Sequence, residues 1–298
     1  MSDDPGKPVA LDVAARAALV DRKATCPFIG SAVTEGALAV RSSARDPLAS
    51  VEDVRRLGNS GGGDLGDLLV LFASGNHSLM RGESGRLDRP VAPGLFSLDF
   101  PGSQGAHPGH SGILQGDPEK LDSGRFSAAD FARLVNRAKD GWVKRSDVGG
   151  FIAENLLRDP SSKVFGIQAA ELLAGDLVEF VESTGSALIK RIFGSDEDAG
   201  RAHRELKEKL TKLLGENNLV GSAGEFGLLF AFLANKPGAR RVDGEPALAV
   251  DDLRSMFVHK RLPEGWERWR KSRADWVKNT TALIVSASRD YHRSKGVS

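Results

Sequence analysis

Cysteine is almost absent from this chain. Cys26 stands alone among 298 residues, which excludes an intramolecular disulfide. Tyrosine is equally scarce: Tyr291 is the only one, against fourteen Phe and four Trp. Charge of one sign is lacking too. The formal net charge of +1 leaves no global field to draw in nucleic acid or a membrane surface. No apolar stretch approaches the length of a transmembrane helix. The polar, acidic start from Met1 to Lys7 lacks the apolar run of a signal peptide. A single cysteine without an export signal points to the cytoplasm. The partner expected from these absences is a small molecule, with neither nucleic acid nor a membrane involved.

What the chain does have is ordinary globular material. Hydrophobic residues make up 40% and charged residues 27%, enough apolar content for a sizeable core. Helical spacing of apolar residues recurs along the chain. It predicts helices over 9–22, after Cys26, over 51–57, over 65–72, after Asp147, over 165–193 with a break near Gly185, over 195–218, over 222–234, over 248–257 and over 266–292. The run Phe126-Ser127-Ala128-Ala129-Asp130 predicts a helix start, with Ser127 as N-cap and Asp130 completing a capping-box-like pattern. No series of strands is evident. The expected fold is all-α, one compact multi-helix domain over 1–298. It carries a long irregular loop from about Gly82 to Gly124, and residues 1–8 are expected to be disordered.

Several motifs invite chemistry and fall short of it. Asn59-Ser60-Gly61-Gly62-Gly63-Asp64 has the glycines of a phosphate cradle but no following Lys-Ser/Thr and no preceding strand, so it reads as a flexible turn. His107 and His110 stand three residues apart in the long loop, without a further ligand at zinc spacing. Asn136 to Asp147 has the spacing of an EF-hand loop, with Gly141 at the sharp turn. Only Asp140 and Asp147 are acidic, and Ca²⁺ needs six to eight oxygens. The Trp269, Trp276 and Leu283 stripe reads as packing. Glu171, Glu179 and Glu182 lie among hydrophobes, where a carboxylate can gain a raised pKa and act as an acid or base. The pattern alone does not say which of them faces a pocket.

Cys26 is the residue with the most chemical promise. Pro27 follows it, and proline suits the first helical position. The sulfur is thereby expected at a helix N-terminus, where amide N–H groups and the dipole favour the thiolate. Such a sulfur serves as a nucleophile, a redox centre or an axial ligand to haem iron. A buried, inert thiol is the plainer alternative.

Three segments, in order, resemble the haem-thiolate peroxidases of the chloroperoxidase and unspecific peroxygenase type. Cys26-Pro27 resembles the family's proline-flanked cysteine, the proximal iron ligand. Gln115-Gly116-Asp117, followed by Phe126-Ser127-Ala128-Ala129-Asp130-Phe131, is similar to the family's acidic motif and the helix start after it. Asp252-Leu253-Arg254-Ser255-Met256-Phe257 with Arg261-Leu262-Pro263-Glu264-Gly265-Trp266 is similar to its late helix and Arg-Leu-Pro stop. The resemblance implies haem b on Cys26, with Gln115, Gly116 and Asp117 beside it. It also implies Mg²⁺ at that motif, although Gln115 stands where the family has Glu. Glu182 matches the family's distal acid/base, with Gly175 where the peroxygenases place an Arg. Peroxide-dependent oxidation of a small organic substrate is the implied activity. A haem or small-ligand carrier on the same scaffold, a thiol enzyme pairing Cys26 with His107 or His110, and a cofactor-free helical interaction module are the alternatives.

Overall fold

A computed structural model describes residues 6–22, 26–42, 47–70, 80–81, 89–90, 94–98, 126–158, 164 and 218–296. The described chain is mostly helical, with small antiparallel sheets between the helices. The helices are α1 (Val13–Arg22), α2 (Pro27–Glu35), α3 (Val51–Asn59), α4 (Ala128–Val135), α5 (Arg145–Arg158), α6 (Asn218–Leu233), α7 (Val250–Phe257) and α8 (Arg273–Ser294), and residues 66–70 are also helical.

The sheets correct the all-α expectation. β1 (Arg41–Ser42), β2 (Pro47–Ser50) and β5 (Leu95–Ser97) form one antiparallel sheet, and β3 (Met80–Arg81) pairs with β4 (Arg89–Pro90). A third sheet joins β6 (Trp142–Lys144), β8 (Glu245–Ala249) and β7 (Arg241–Val242) in the order β6-β8-β7. These strands are two to five residues long, too short to show the two-residue alternation by which a strand is read. Lys7 and Pro8, within the segment expected to be disordered, pair with β1: Pro8 bridges Arg41, and the Ser42 N–H donates to the Lys7 carbonyl at 3.2 Å.

Helix ends follow the local chemistry. The Ser127 hydroxyl accepts the Asp130 N–H at 3.2 Å and caps α4 as expected. Ser50 likewise accepts the Asp53 N–H at the start of α3. Each such cap is worth about 1 kcal/mol. Gly36, with φ +77°, terminates α2 in the left-handed conformation that glycine adopts without a Cβ clash.

The core sits where α6, α8 and α5 meet. α6 reads GSAGEFGLLFAFL through its middle and is buried nearly all round, so both neighbours close on it. Glycines set how near they come: a Cβ on Gly227 of α6 would lie 2.0 Å from the Thr280 hydroxyl of α8, and one on Gly149 of α5 would lie 2.3 Å from that of Ser286. The tryptophans anchor the layers. Trp276 Nε1 donates to the Gly224 carbonyl at 3.0 Å and Trp269 Nε1 to that of Phe232 at 2.7 Å.

The glycine run expected to be a flexible turn is instead a tight junction. A Cβ on Gly61 would fall 2.2 Å from the Trp269 carbonyl oxygen, and one on Gly63 would fall 2.5 Å from that of Lys271. The Asp64 N–H donates to the Lys271 carbonyl at 2.9 Å, and the Arg273 N–H at the start of α8 donates to the Asp64 carboxylate at 2.7 Å. Glycine is required there for backbone-to-backbone approach, not for looseness.

Candidate functional site

Cys26 occupies the N-cap of α2, with Pro27 at the first helical position, as the sequence suggested. It is buried, in a corner made by α1, α2 and the turn after α7. The amides of Ile29 and Phe28 favour its anion, yet neither closes a capping hydrogen bond onto the side chain. The Gly30 N–H bonds the Cys26 carbonyl at 2.7 Å and starts the helix. Burial pushes the thiol up to about 11, against the pull of the two amides. Glu225 of α6 raises it further and Lys260 lowers it. Desolvation therefore outweighs the helix terminus, and the sulfur is a protonated thiol at neutral pH.

Aromatic pairs belong to the same buried core as Cys26. Phe28 meets Phe232 edge-on at 4.9 Å between centroids. Phe131 lies between Phe126 and Phe257, at 5.5 and 6.3 Å. The Lys260 ammonium sits over the Phe126 ring, 5.7 Å from its centre. Burial also depresses Lys260, opposed by Asp21 and Cys26.

The other residues implied by the family resemblance, Gln115, Gly116, Asp117 and Glu182, lie outside the described residues. So do Gly175, Glu171, Glu179 and the loop histidines His107 and His110. The structure places Cys26 and Pro27 together at the start of α2, and the charge of Lys260, which was not singled out in the sequence, acts on the sulfur. Its signal there was faint: one lysine beside the Arg-Leu-Pro segment, indistinguishable from any surface cation.

The EF-hand-like segment folds as a helix, turn, strand and helix, with Asp140 and Gly141 at φ +51° and +80°. β6 pairs with β8, so two helix–strand–helix units face each other. Asp147 of this segment, and Asp243 from the facing β7–β8 turn, are committed to the protein's own donors. The Asp147 carboxylate accepts the Lys144 N–H at 3.1 Å, and Asp243 pairs with the Lys144 ammonium at 3.0 Å. Among the described residues no three His, Cys, Asp or Glu side chains stand together as a metal site.

A second buried ionisable group belongs to the glycine junction. Lys271 is fully buried, and its ammonium donates to the Ser60 hydroxyl at 2.6 Å and to the Trp266 carbonyl. The faces of Trp269, Trp266 and Phe232 surround it at 5.1, 5.3 and 5.4 Å. Burial pulls its pKa down to about 8, against a weaker opposing effect of Glu267. Its donors and ring contacts are all internal, so it holds the junction together.

Among the described residues, no helix is long and apolar enough to cross a membrane. Comparison with models of known families, with curated proteins and with solved structures found no match. The structural class is accordingly a mostly helical protein with small antiparallel sheets, and its chemistry has to be argued from the Cys26 corner.

Proposed function

We propose that this chain is a haem-thiolate protein of the peroxidase and peroxygenase type, with Cys26 as the proximal ligand to haem b and a small organic molecule as substrate. The observation that supports the reading is the buried sulfur of Cys26 at the N-terminus of α2, with two amides favouring its anion. A soft sulfur donor in an apolar, amide-lined corner suits iron. A raised pKa also counts against a free thiol nucleophile, which works as the thiolate.

When bound, haem supplies iron that activates peroxide, and a thiolate ligand favours O–O cleavage. The chain's own residues supply the rest. Cys26 would hold the iron through its sulfur, with the thiol proton lost on ligation. The Phe28 and Ile29 amides would favour the charge left on sulfur. By the family resemblance, Gln115, Gly116 and Asp117 would help to hold the haem, and Glu182 would move a proton. Mg²⁺ beside the motif would find the neutral Gln115 amide rather than a carboxylate.

A haem carrier without turnover is the second reading. It is favoured by that neutral Gln115 and by Gly175 in place of an arginine. The test is the optical spectrum of purified, haem-supplemented protein, reduced under carbon monoxide, for wild type and Cys26→Ala. A strongly red-shifted Soret band in wild type only is the expected result. A protein that takes up no haem would sink both readings. Peroxide-dependent oxidation that is lost in Glu182→Gln separates the enzyme from the carrier.

A further inference from the structure

The two helix–strand–helix units share one plan. The first runs through α4, a turn, β6 and α5. The second runs through α6, a loop carrying β7, then β8 and α7. Val143 faces Leu248 across the strand pair, and both are buried. The first and last helices meet through Phe131 and Phe257, at 6.3 Å between ring centroids. The two middle helices meet through Phe151 and Phe226, at 6.0 Å. Asp147 and Asp252 are each the third residue of the helix that leaves the loop.

In a calcium-binding unit of this kind the cation joins the loop to a carboxylate at the start of the outgoing helix. In the second unit a side chain makes that join. Lys236 lies just beyond α6, where its N–H bonds the Leu233 carbonyl at 3.1 Å. Its ammonium pairs with the buried Asp252 carboxylate of α7. Asn235 turns the other way. Its amide donates to the Arg270 carbonyl at 3.0 Å and to the Asp275 carboxylate of α8 at 3.2 Å. The end of α6 is thus tied to α7 by one residue and to α8 by the residue before it.

We infer that residues 126–158 and 218–257 form a calcium-independent pair of EF-hand type, in which the Lys236 ammonium does the work of the cation in the second loop and fixes the setting of α7. The inference stands on the ion pair and the shared plan, and is independent of the haem reading. An ammonium tethered to the chain does not come and go with calcium, so the pair is a fixed strut and not a sensor. α7 in turn meets α2, where the Ser31 hydroxyl donates to the Met256 carbonyl at 3.4 Å.

The full-length chain provides the test as wild type, Lys236→Ala, Lys236→Met, Asp252→Asn and the double variant Lys236→Ala/Asp252→Asn. The readout is the thermal midpoint followed by far-ultraviolet circular dichroism, in Ca²⁺, in EGTA, and in n-propylammonium chloride against matched potassium chloride. Wild type is expected to melt at the same temperature in Ca²⁺ and in EGTA. Lys236→Ala and Lys236→Met melt roughly 3–6 °C lower. The n-propylammonium ion, which matches the group that alanine removes, restores part of the loss in Lys236→Ala and none in the double variant. The double variant loses less than the two single variants together. Methionine keeps the length of the side chain and carries the comparison should alanine unfold the loop. A wild-type midpoint that rises with Ca²⁺ overturns the calcium independence. Uncharged variants that melt with wild type, or a Lys236→Ala loss that is the same with Asp252 present or replaced, overturn the role of Lys236.

Discussion

Cys26 and Lys271 are both sealed inside the protein, the first 5% and the second 0% exposed, and burial drives both toward their neutral forms. They differ in what their polar atoms meet. The Lys271 ammonium is closed in by a hydroxyl, a carbonyl and three ring faces, all from the same chain. The Cys26 side chain closes no cap on α2; the Ile29 and Phe28 amides favour its anion, and among the described residues Lys260 adds a favourable charge. A buried group whose contacts are all closed is there for the fold. A buried group whose helix terminus is left uncapped is a candidate for a ligand. Burial alone does not separate the two, and the pKa shifts do not either.

The largest effect expected is at the sulfur. On the proposed haem-thiolate reading, Cys26→Ala should abolish the thiolate-type haem spectrum and leave the helical circular dichroism intact; a variant that unfolds instead would place Cys26 beside Lys271 as a structural residue. Next comes the glycine junction. Gly61→Ala forces a Cβ onto the Trp269 carbonyl and should cost about 2–4 kcal/mol in urea unfolding. Gly62→Ala, with a similar positive φ but open space around it, should cost only about 1 kcal/mol. Equal losses at the two positions would mean that backbone conformation, not close approach, selects glycine there.

Lys271→Met probes the cage through pH. The native ammonium has a pKa of about 8 against 10.5 when unfolded, so the native chain binds fewer protons between those values. Wild-type stability should therefore rise as pH climbs from about 8 to 10.5, by at most about 3 kcal/mol, and the variant should lose that rise. A wild-type curve that is flat across this window would mean that the cage holds a fully charged lysine without penalty.

The mildest effect belongs to an ordinary partnered charge. Burial raises the Asp130 carboxyl, but hydrogen bonds from Arg158, Ser127 and Arg133 outweigh it and lower its pKa. Its contribution is present above the unfolded value near 3.8 and is lost as pH falls through the lower native one. Asp130→Asn should cost about 1 kcal/mol at pH 7, and the difference from wild type should shrink as pH falls below the unfolded value of 3.8. A deficit that persists in acid would point to lost packing rather than lost charge.

What the sequence disclosed follows the range of the forces involved. Helix starts are local: Ser127 before Asp130 and Pro27 after Cys26 announced their caps within four residues, and both stand as expected. Strand β6 is set by a partner about a hundred residues away, as when Trp142 pairs with Ala249, and no local pattern carries that. Asn59-Ser60-Gly61-Gly62-Gly63 looked like slack because glycine signals both freedom and close contact, and only the Trp269 and Lys271 carbonyls tell which applies. The thiol at a helix terminus was legible. Its raised pKa was not, because the burial of the sulfur and the charge of Glu225 come from parts of the chain distant in sequence. Lys260 was hidden for the same reason.

The junction between Gly61–Asp64 and Trp269–Arg273 closes a loop of more than two hundred residues, through the Lys271–Ser60 bond at a separation of 211. On the ribosome, the N-terminal helices emerge long before the segment that locks onto them. The glycine run must wait, its backbone groups in water, until Trp269–Arg273 has been made. Loops of this span close slowly, because chain entropy is spent before any contact compensates for it. The junction should therefore become rigid only once that segment has emerged, and a truncation just before Trp266 should leave Gly61–Asp64 open to proteases.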